Sequence, residues 1–248
     1  MFVSATAQTP AFIEAARRDL AQAGRVHLPG FLDDEAAELL LADMAGLDYR
    51  IVTNAGGATQ DIPAQAFAKL DQRQFLSQLY GEAKDEFRFL YDGVRVSEAC
   101  LNGTMTNGPL VDFFATMNDS RGLELFRAIT GDPRVMYLDM LASRYRGGHF
   151  LTAHNDEQDD GHRLYAFVFN FSRAWKADWG GLLAFYDADG HVAEAFTPRW
   201  GALNIFKVPQ DHAVTMVAPF AGAARYSITG WMRAKRPGLS PDHPAVRG

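Results

Sequence analysis

Cysteine is almost missing from this chain: Cys100 is the only one in 248 residues. An intramolecular disulfide and a cysteine-built zinc site are therefore both excluded, because each needs more than one thiol. A basic excess is missing too. Lys and Arg number 24 against 30 Asp and Glu, a formal charge of −6, so the chain has no general attraction for phosphate backbones or anionic lipid. No apolar run approaches the roughly 20 residues that span a bilayer, and the stretch from Met1 to Arg25 lacks the basic start and apolar core of a secretory signal. The expectation is a cytoplasmic protein with neither nucleic acid nor membrane as partner; the oligomeric state stays open.

What is present is an ordinary globular composition. Hydrophobic residues make up 48% and charged residues 22%, which is too apolar for a disordered chain and enough to build a substantial core. One domain over 1–248 is expected, with a helix-rich buttress at 1–131, a strand-rich core at 132–235 and a short tail at 236–248.

The first half reads helical. Thr9-Pro10 has the form of an N-cap and first-turn proline, and Ile13, Ala16 and Leu20 form a stripe that Gly24 stops. A short strand at 25–32 is turned by Pro29-Gly30, and Asp33 caps a helix carrying Leu39, Leu40 and Met44. Helical spacing of Phe75, Leu76, Leu79, Ala83, Phe87 and Leu90 predicts a long helix over 72–91, and another is expected over 119–130 before Gly131. After Asp132 the pattern changes. Short apolar or alternating runs at 135–145, 149–155, 164–171, 181–186, 191–196, 202–208, 212–217 and 223–232 are separated by Gly, Asp and Pro. Eight closely spaced strand candidates point to a mainly β chain, a jelly roll or barrel buttressed by helices.

The segment Phe150-Leu151-Thr152-Ala153-His154-Asn155-Asp156 carries the sharpest chemical signal. If it is extended, His154 and Asp156 project to one side. A neutral imidazole beside a carboxylate supplies two metal ligands, and His212 at the start of a later strand can supply a third. Two histidines and one carboxylate on one face of an octahedron leave open positions, the arrangement suited to oxygen activation by iron(II). Arg225 follows 13 positions after His212 on the last strand, where Arg225, Ser227, Thr229 and Trp231 share one side and Tyr226, Ile228 and Met232 the other. A guanidinium in a polar interior row fits a carboxylate through paired charge-assisted hydrogen bonds, and the distal carboxylate of 2-oxoglutarate is a natural partner.

With these residues in place, the stretch from Met136 to Met232 resembles the iron(II)/2-oxoglutarate-dependent dioxygenase superfamily, in its prolyl 4-hydroxylase-like branch. The resemblance runs through Tyr145-Arg146-Gly147-Gly148, the His154-Asn155-Asp156 motif, the segment from Arg163 to Trp175, Gly180-Gly181-Leu182-Leu183-Ala184-Phe185, the approach to His212, and Arg225-Tyr226-Ser227-Ile228-Thr229-Gly230-Trp231. It implies a double-stranded β-helix with iron at His154, Asp156 and His212 and 2-oxoglutarate at Arg225. It also implies cosubstrate contacts from Tyr145 and Thr229. Asn170 stands where the hypoxia-sensing relatives have a tyrosine, and its amide is a candidate contact. The implied cofactors are Fe(II), 2-oxoglutarate and O2, with ascorbate a candidate auxiliary reductant. The implied reaction is hydroxylation of an unactivated C–H, with a prolyl residue of a protein or peptide favoured.

Competing readings have identifiable weaknesses. A halogenase needs a small residue where Asp156 stands. Demethylases of nucleic acid carry a second arginine where this chain has Trp231, and a cupin would show two closely spaced histidines and a glutamate. A free amino acid or other small molecule is the alternative substrate, and a non-catalytic metal or 2-oxoglutarate sensor is the alternative class. His27, His149, His162, His191 and His243 read as structural or exposed. The acidic run 156–161 reads as a solvated loop, lacking the glutamate of a calcium-binding loop. The Gly56-Gly57 region reads as a loop or hairpin, with 49–60 a candidate lid.

Overall fold

The computed structural model describes residues 2–158 and 162–236. The acidic loop expected at 156–161 falls partly outside the described residues, and the tail expected at 236–248, with His243, falls outside them from residue 237 onward.

Local rules set most helix boundaries. Helix α1 (Pro10–Ala23) starts where Thr9 accepts from the Phe12 amide and stops at Gly24, whose φ of 72° suits glycine. Strand β1 (Arg25–Leu28) follows. Asp33 accepts from the amides of Glu35 and Ala36 at the head of α2 (Asp34–Ala45). The 49–60 region is a hairpin, β2 (Arg50–Thr53) paired with β3 (Gln60–Pro63), and leads to the single turn α3 (Ala64–Phe67).

The long helix expected over 72–91 is not formed. Helix α4 (Gln72–Glu82) ends early, and strand β4 (Phe89–Val94) occupies the rest. Phe87, Phe89 and Tyr91 alternate at the strand period while Phe87 and Leu90 fit the helical one. The decision falls to β2, β5 and β6, which all hydrogen-bond to β4. Two further helices escaped the sequence reading, α5 (Val96–Leu101) and α6 (Pro109–Asn118). Helix α7 (Ser120–Thr130) lies where it was expected and is ended by Gly131, with Asp119 as its cap.

All eight strands expected after Asp132 are present: β5 (Tyr137–Tyr145), β6 (Phe150–His154), β7 (Arg163–Asn170), β8 (Leu183–Tyr186), β9 (Val192–Phe196), β10 (Leu203–Lys207), β11 (His212–Val214) and β12 (Arg225–Arg233). Pairing runs β1-β10-β7-β12-β5-β4-β6-β11-β8-β9, with β2 attached to β4 and β3 to β2. Strand β4 turns the corner: Phe89 and Leu90 pair with β6, Asp92 to Val94 with β5. The two ends of the path approach through side chains, since Arg25 on β1 pairs with Glu194 on β9 at 2.7 Å and His27 stacks on Phe196. The result is a mostly antiparallel, nearly closed barrel of the jelly-roll type expected.

Alternation along β7 separates two environments. Phe167 and Phe169 face outward into a large apolar layer under α1, α2, α6 and α7, where Phe169 contacts Phe31, Phe113 and Phe126. Ala166 and Val168 face inward with Leu183, Phe185 and Phe206. Small residues on the inner face leave space, and the outer aromatic layer holds the sheet rigid. No helix among the described residues is long and apolar enough to cross a membrane.

Gly230 on β12 lies between Met140 of β5 and Phe167 of β7. A Cβ there would sit 1.7 Å from the Asp139 carbonyl oxygen and 3.3 Å from the Phe167 ring. Gly230→Ala should cost about 1–3 kcal/mol through overpacking; an unchanged denaturation midpoint would contradict this close approach. His149 is buried, its Nδ1 has no hydrogen-bond partner among the described residues, and burial brings its pKa from 6.5 to about 4. The unfolded chain therefore binds the extra proton first, and stability is lost as pH falls from 6.5 towards 4, by on the order of 3 kcal/mol for this group. His149→Leu should flatten that part of the stability–pH curve relative to wild type, measured by denaturant titrations across the interval.

Candidate metal centre and cosubstrate cavity

Strand pairing brings the two histidines together. His154 is the last residue of β6, His212 the first of β11, and the two are direct partners in the antiparallel register. Their ring centroids lie 4.2 Å apart. Each ring places Nδ1 against the carbonyl two residues earlier, His154 on Thr152 at 3.0 Å and His212 on Gln210 at 2.8 Å. A proton held on Nδ1 by such a carbonyl leaves the Nε2 lone pair free as a metal donor.

Asp156 joins them by a route the sequence reading did not foresee. Strand β6 ends at His154, so Asp156 does not share a face with it by strand alternation. Its φ of 63° turns the chain back and points the carboxylate at both rings. His154 Nε2 lies 3.4 Å from one Asp156 oxygen, and His212 Nε2 lies 3.5 Å from the other. Potential donor atoms of the three residues all lie within 4.8 Å of one another. Adjacent ligands of an octahedral ion at about 2.1 Å are separated by about 3 Å, so the set fits a divalent transition metal after a small contraction. The donor chemistry, two imidazoles and one carboxylate, suits iron(II) better than a thiol-seeking metal.

Electrostatics agree with that fit. Burial brings the His212 pKa down to about 4, with the neighbouring His154 adding to the effect, so the ring stays neutral. Burial alone would raise the Asp156 carboxyl, but its polar surroundings, His154, His212 and Trp231, bring it below the usual value. Arg163 braces the turn, donating to the Asp156 carbonyl oxygen at 3.2 Å while its guanidinium stacks 3.5 Å from the Trp231 ring.

The three residues open onto a cavity of about 600 Å³. Arg225 lines it although only 2% exposed, and its Nε has no hydrogen-bond partner among the described residues. Its guanidinium lies 5.2 Å from the Tyr145 ring, and burial lowers its pKa. A buried guanidinium facing a tyrosine rather than a carboxylate fits an anionic ligand of matching shape. Tyr145 and Thr229 also line the cavity, Thr229 donating to the Phe167 carbonyl at 3.0 Å. Burial raises the Tyr145 phenol well above its usual value, keeping it a neutral hydrogen-bonding group.

Asn170 is placed differently. It is fully buried off the cavity wall, and its amide donates to the Val168 and Ala202 carbonyls. It lies directly opposite Ser227 in the β7–β12 register. Ser227, to which the sequence reading gave no role beyond its place in the polar row, does line the cavity, with a buried hydroxyl that has no partner among the described residues. Phe87, Phe89 and Tyr91 were missed as wall residues because the segment read as helix. Their alternation was the available signal.

Residues 140–233 match the 2OG-Fe(II) oxygenase superfamily. No curated protein matches the sequence. Among solved structures, a Pseudomonas putida prolyl-4-hydroxylase is 21% identical, with 91% of this chain and 100% of that one covered at a TM-score of 0.57. A Trichoplax adhaerens prolyl hydroxylase, solved in complex with a hypoxia inducible factor oxygen degradation domain peptide fragment, is 15% identical over 92% of this chain and 94% of that one, TM-score 0.59. The non-heme alpha-ketoglutarate-dependent epimerase SnoN from nogalamycin biosynthesis is 15% identical over 95% and 93%, TM-score 0.56. These likenesses speak to the fold, and the matched residues 140–233 include His154, Asp156, His212 and Arg225. The match to the 2OG-Fe(II) oxygenase superfamily thus covers the strand-rich part of the chain, residues 140–233, where His154, Asp156 and His212 form a group that could hold a metal ion such as iron(II).

Proposed function

We propose that this chain is an Fe(II)- and 2-oxoglutarate-dependent oxygenase that hydroxylates an unactivated C–H, with a prolyl residue of a protein or peptide as substrate. In this reading His154, Asp156 and His212 hold the iron, and Arg225 holds the distal carboxylate of 2-oxoglutarate. The observation that carries it is the convergence of the three donors at the wall of the cavity that buries Arg225. When bound, iron(II) and 2-oxoglutarate supply an oxidant from O2, with succinate and carbon dioxide as by-products and one oxygen atom inserted into the substrate C–H.

The protein's own groups then have separable tasks. Asp156 offsets metal charge, and the Nδ1-anchored histidines keep their donor atoms aimed. Arg225 and the Ser227 hydroxyl orient the dicarboxylate, with Tyr145 as a neutral donor opposite, while Thr229, its proton committed to the Phe167 carbonyl, lines the wall. Phe87, Phe89 and Tyr91 keep that wall apolar and limit water near the reacting centre. Asn170 stands behind this contact set and supports the strand that carries Ser227.

The prolyl substrate draws support from two of the structural relatives, one of them solved with a peptide. The epimerase relative favours a second reading, a small-molecule substrate in the same cavity. Mass spectrometry of proteins from cells with and without the active enzyme separates the two. A prolyl mass gain of one oxygen atom that disappears with His154→Ala establishes the first; a gain found only on metabolites establishes the second.

Asp156→Ala should lower 2-oxoglutarate-dependent succinate formation by roughly 100-fold or more, as loss of a metal ligand does. Full turnover in that variant would dissolve the triad. Arg225→Ala should weaken 2-oxoglutarate binding by about 2–5 kcal/mol, roughly thirtyfold or more, because one partner of a buried charge pair is gone. Folding stability should hold, since a buried cation is removed. Calorimetric titration of 2-oxoglutarate decides this, and unaltered affinity would take Arg225 out of the pocket.

A further inference from the structure

We infer that Asp92, on the face of β4 turned away from the cavity, is a positioning residue for Tyr145 and thereby sets affinity for the 2-oxo acid; this rests on the cosubstrate pocket proposed above. Asp92 is completely buried, and the proposed chemistry does not use it. Two guanidinium groups converge on its carboxylate. Arg144 Nε donates at 2.7 Å, and Arg146 donates through Nε at 2.7 Å and Nη2 at 2.9 Å.

The sequence spacing gives this cluster its meaning. Arg144 and Arg146 flank Tyr145, and both guanidinium groups reach Asp92 while the tyrosine lines the cavity. Residue 91 completes the arrangement from inside. Tyr91 stacks on Tyr145 with ring centroids 5.3 Å apart and planes inclined by 21°. The dipeptide Tyr91-Asp92 thus grips residues 144–146 from both faces, one residue on each.

The grip acts where the backbone has little stiffness of its own. Strand β5 ends at Tyr145, and Gly147-Gly148 follow before β6, with Gly148 at φ 85°. The two arms are unequal: Arg144 also stacks 4.4 Å from the Tyr49 ring and is one quarter exposed, whereas Arg146 is half exposed. A buried carboxylate holding two guanidinium groups fixes geometry more reliably than it adds stability, because desolvation consumes much of the attraction. Tyr145 is the group that would move, and it is the one that faces Arg225.

The test is a double-mutant cycle read by calorimetric titration of 2-oxoglutarate into Mn(II)-loaded protein. Asp92→Asn should weaken binding about tenfold in the otherwise intact chain and less than about twofold in a Tyr145→Phe background, because its effect passes through the tyrosine hydroxyl. Mn(II) affinity should stay unchanged in all variants. Arg146→Gln, which keeps the Arg144 arm, should give a smaller loss with the same dependence on Tyr145, and serves if Asp92→Asn does not fold. Equal losses in both backgrounds, or no loss in either, overturn the inference while leaving the pocket intact. A wild-type protein that takes up Mn(II) but no 2-oxoglutarate overturns the pocket assignment and the inference with it.

Discussion

The antiparallel pairing of β6 with β11 is the constraint on which the rest of the site depends. Direct register between His154 and His212 sets two imidazoles 4.2 Å apart. A slip of one residue would turn one of them to the other face of the sheet. The register is held from both sides, by β8 next to β11 and by β4 next to β6. The placement of both imidazoles is therefore a property of the sheet. Asp156 alone depends on a local backbone feature, the left-handed turn just past the strand.

Concentrating two imidazoles, a carboxylate and a guanidinium inside a barrel costs stability, because each is removed from water before any ligand arrives. The offset lies on the other face of the same strands. Phe167 and Phe169 anchor a thick apolar layer beneath four helices, while their neighbours Ala166 and Val168 leave the cavity open. One strand thus serves both needs by alternation. Gly230 shows how tightly the arrangement is drawn, since β12 passes too close to β5 to admit a methyl group.

Much of this was legible in the sequence. The eight strands after Asp132 stand where their turn residues and alternation put them, and the caps Thr9 and Asp33 act as read. His154, Asp156, His212 and Arg225 are brought to one cavity. The grouping of His154 with Asp156 was anticipated for an incomplete reason: alternation predicts a shared face, whereas the chain leaves the strand and turns back. The failure at 72–91 has a different origin. Phe87 and Tyr91 satisfy both periods, and only pairing with β2, β5 and β6, distant in sequence, settles that segment as strand. Asn170 was aligned by position, yet its amide is held by two backbone carbonyls behind the wall, a local competition no spacing argument reveals.

That misassigned segment is also what joins the two functional halves of the cavity. The first residues of β4 pair with the strand that presents His154, and its last residues pair with the strand that presents Tyr145. Phe87 contacts the His154 ring at 5.1 Å, and Tyr91 stacks on Tyr145, with Phe89 between them. A continuous aromatic row therefore runs along the wall from the candidate metal site to the tyrosine opposite Arg225. Packed rings transmit displacement poorly to solvent and well to each other. The spacing between the metal donors and the proposed carboxylate clamp is thus fixed by one strand, which is a reason for that strand to be extended where a helix was equally open to its composition.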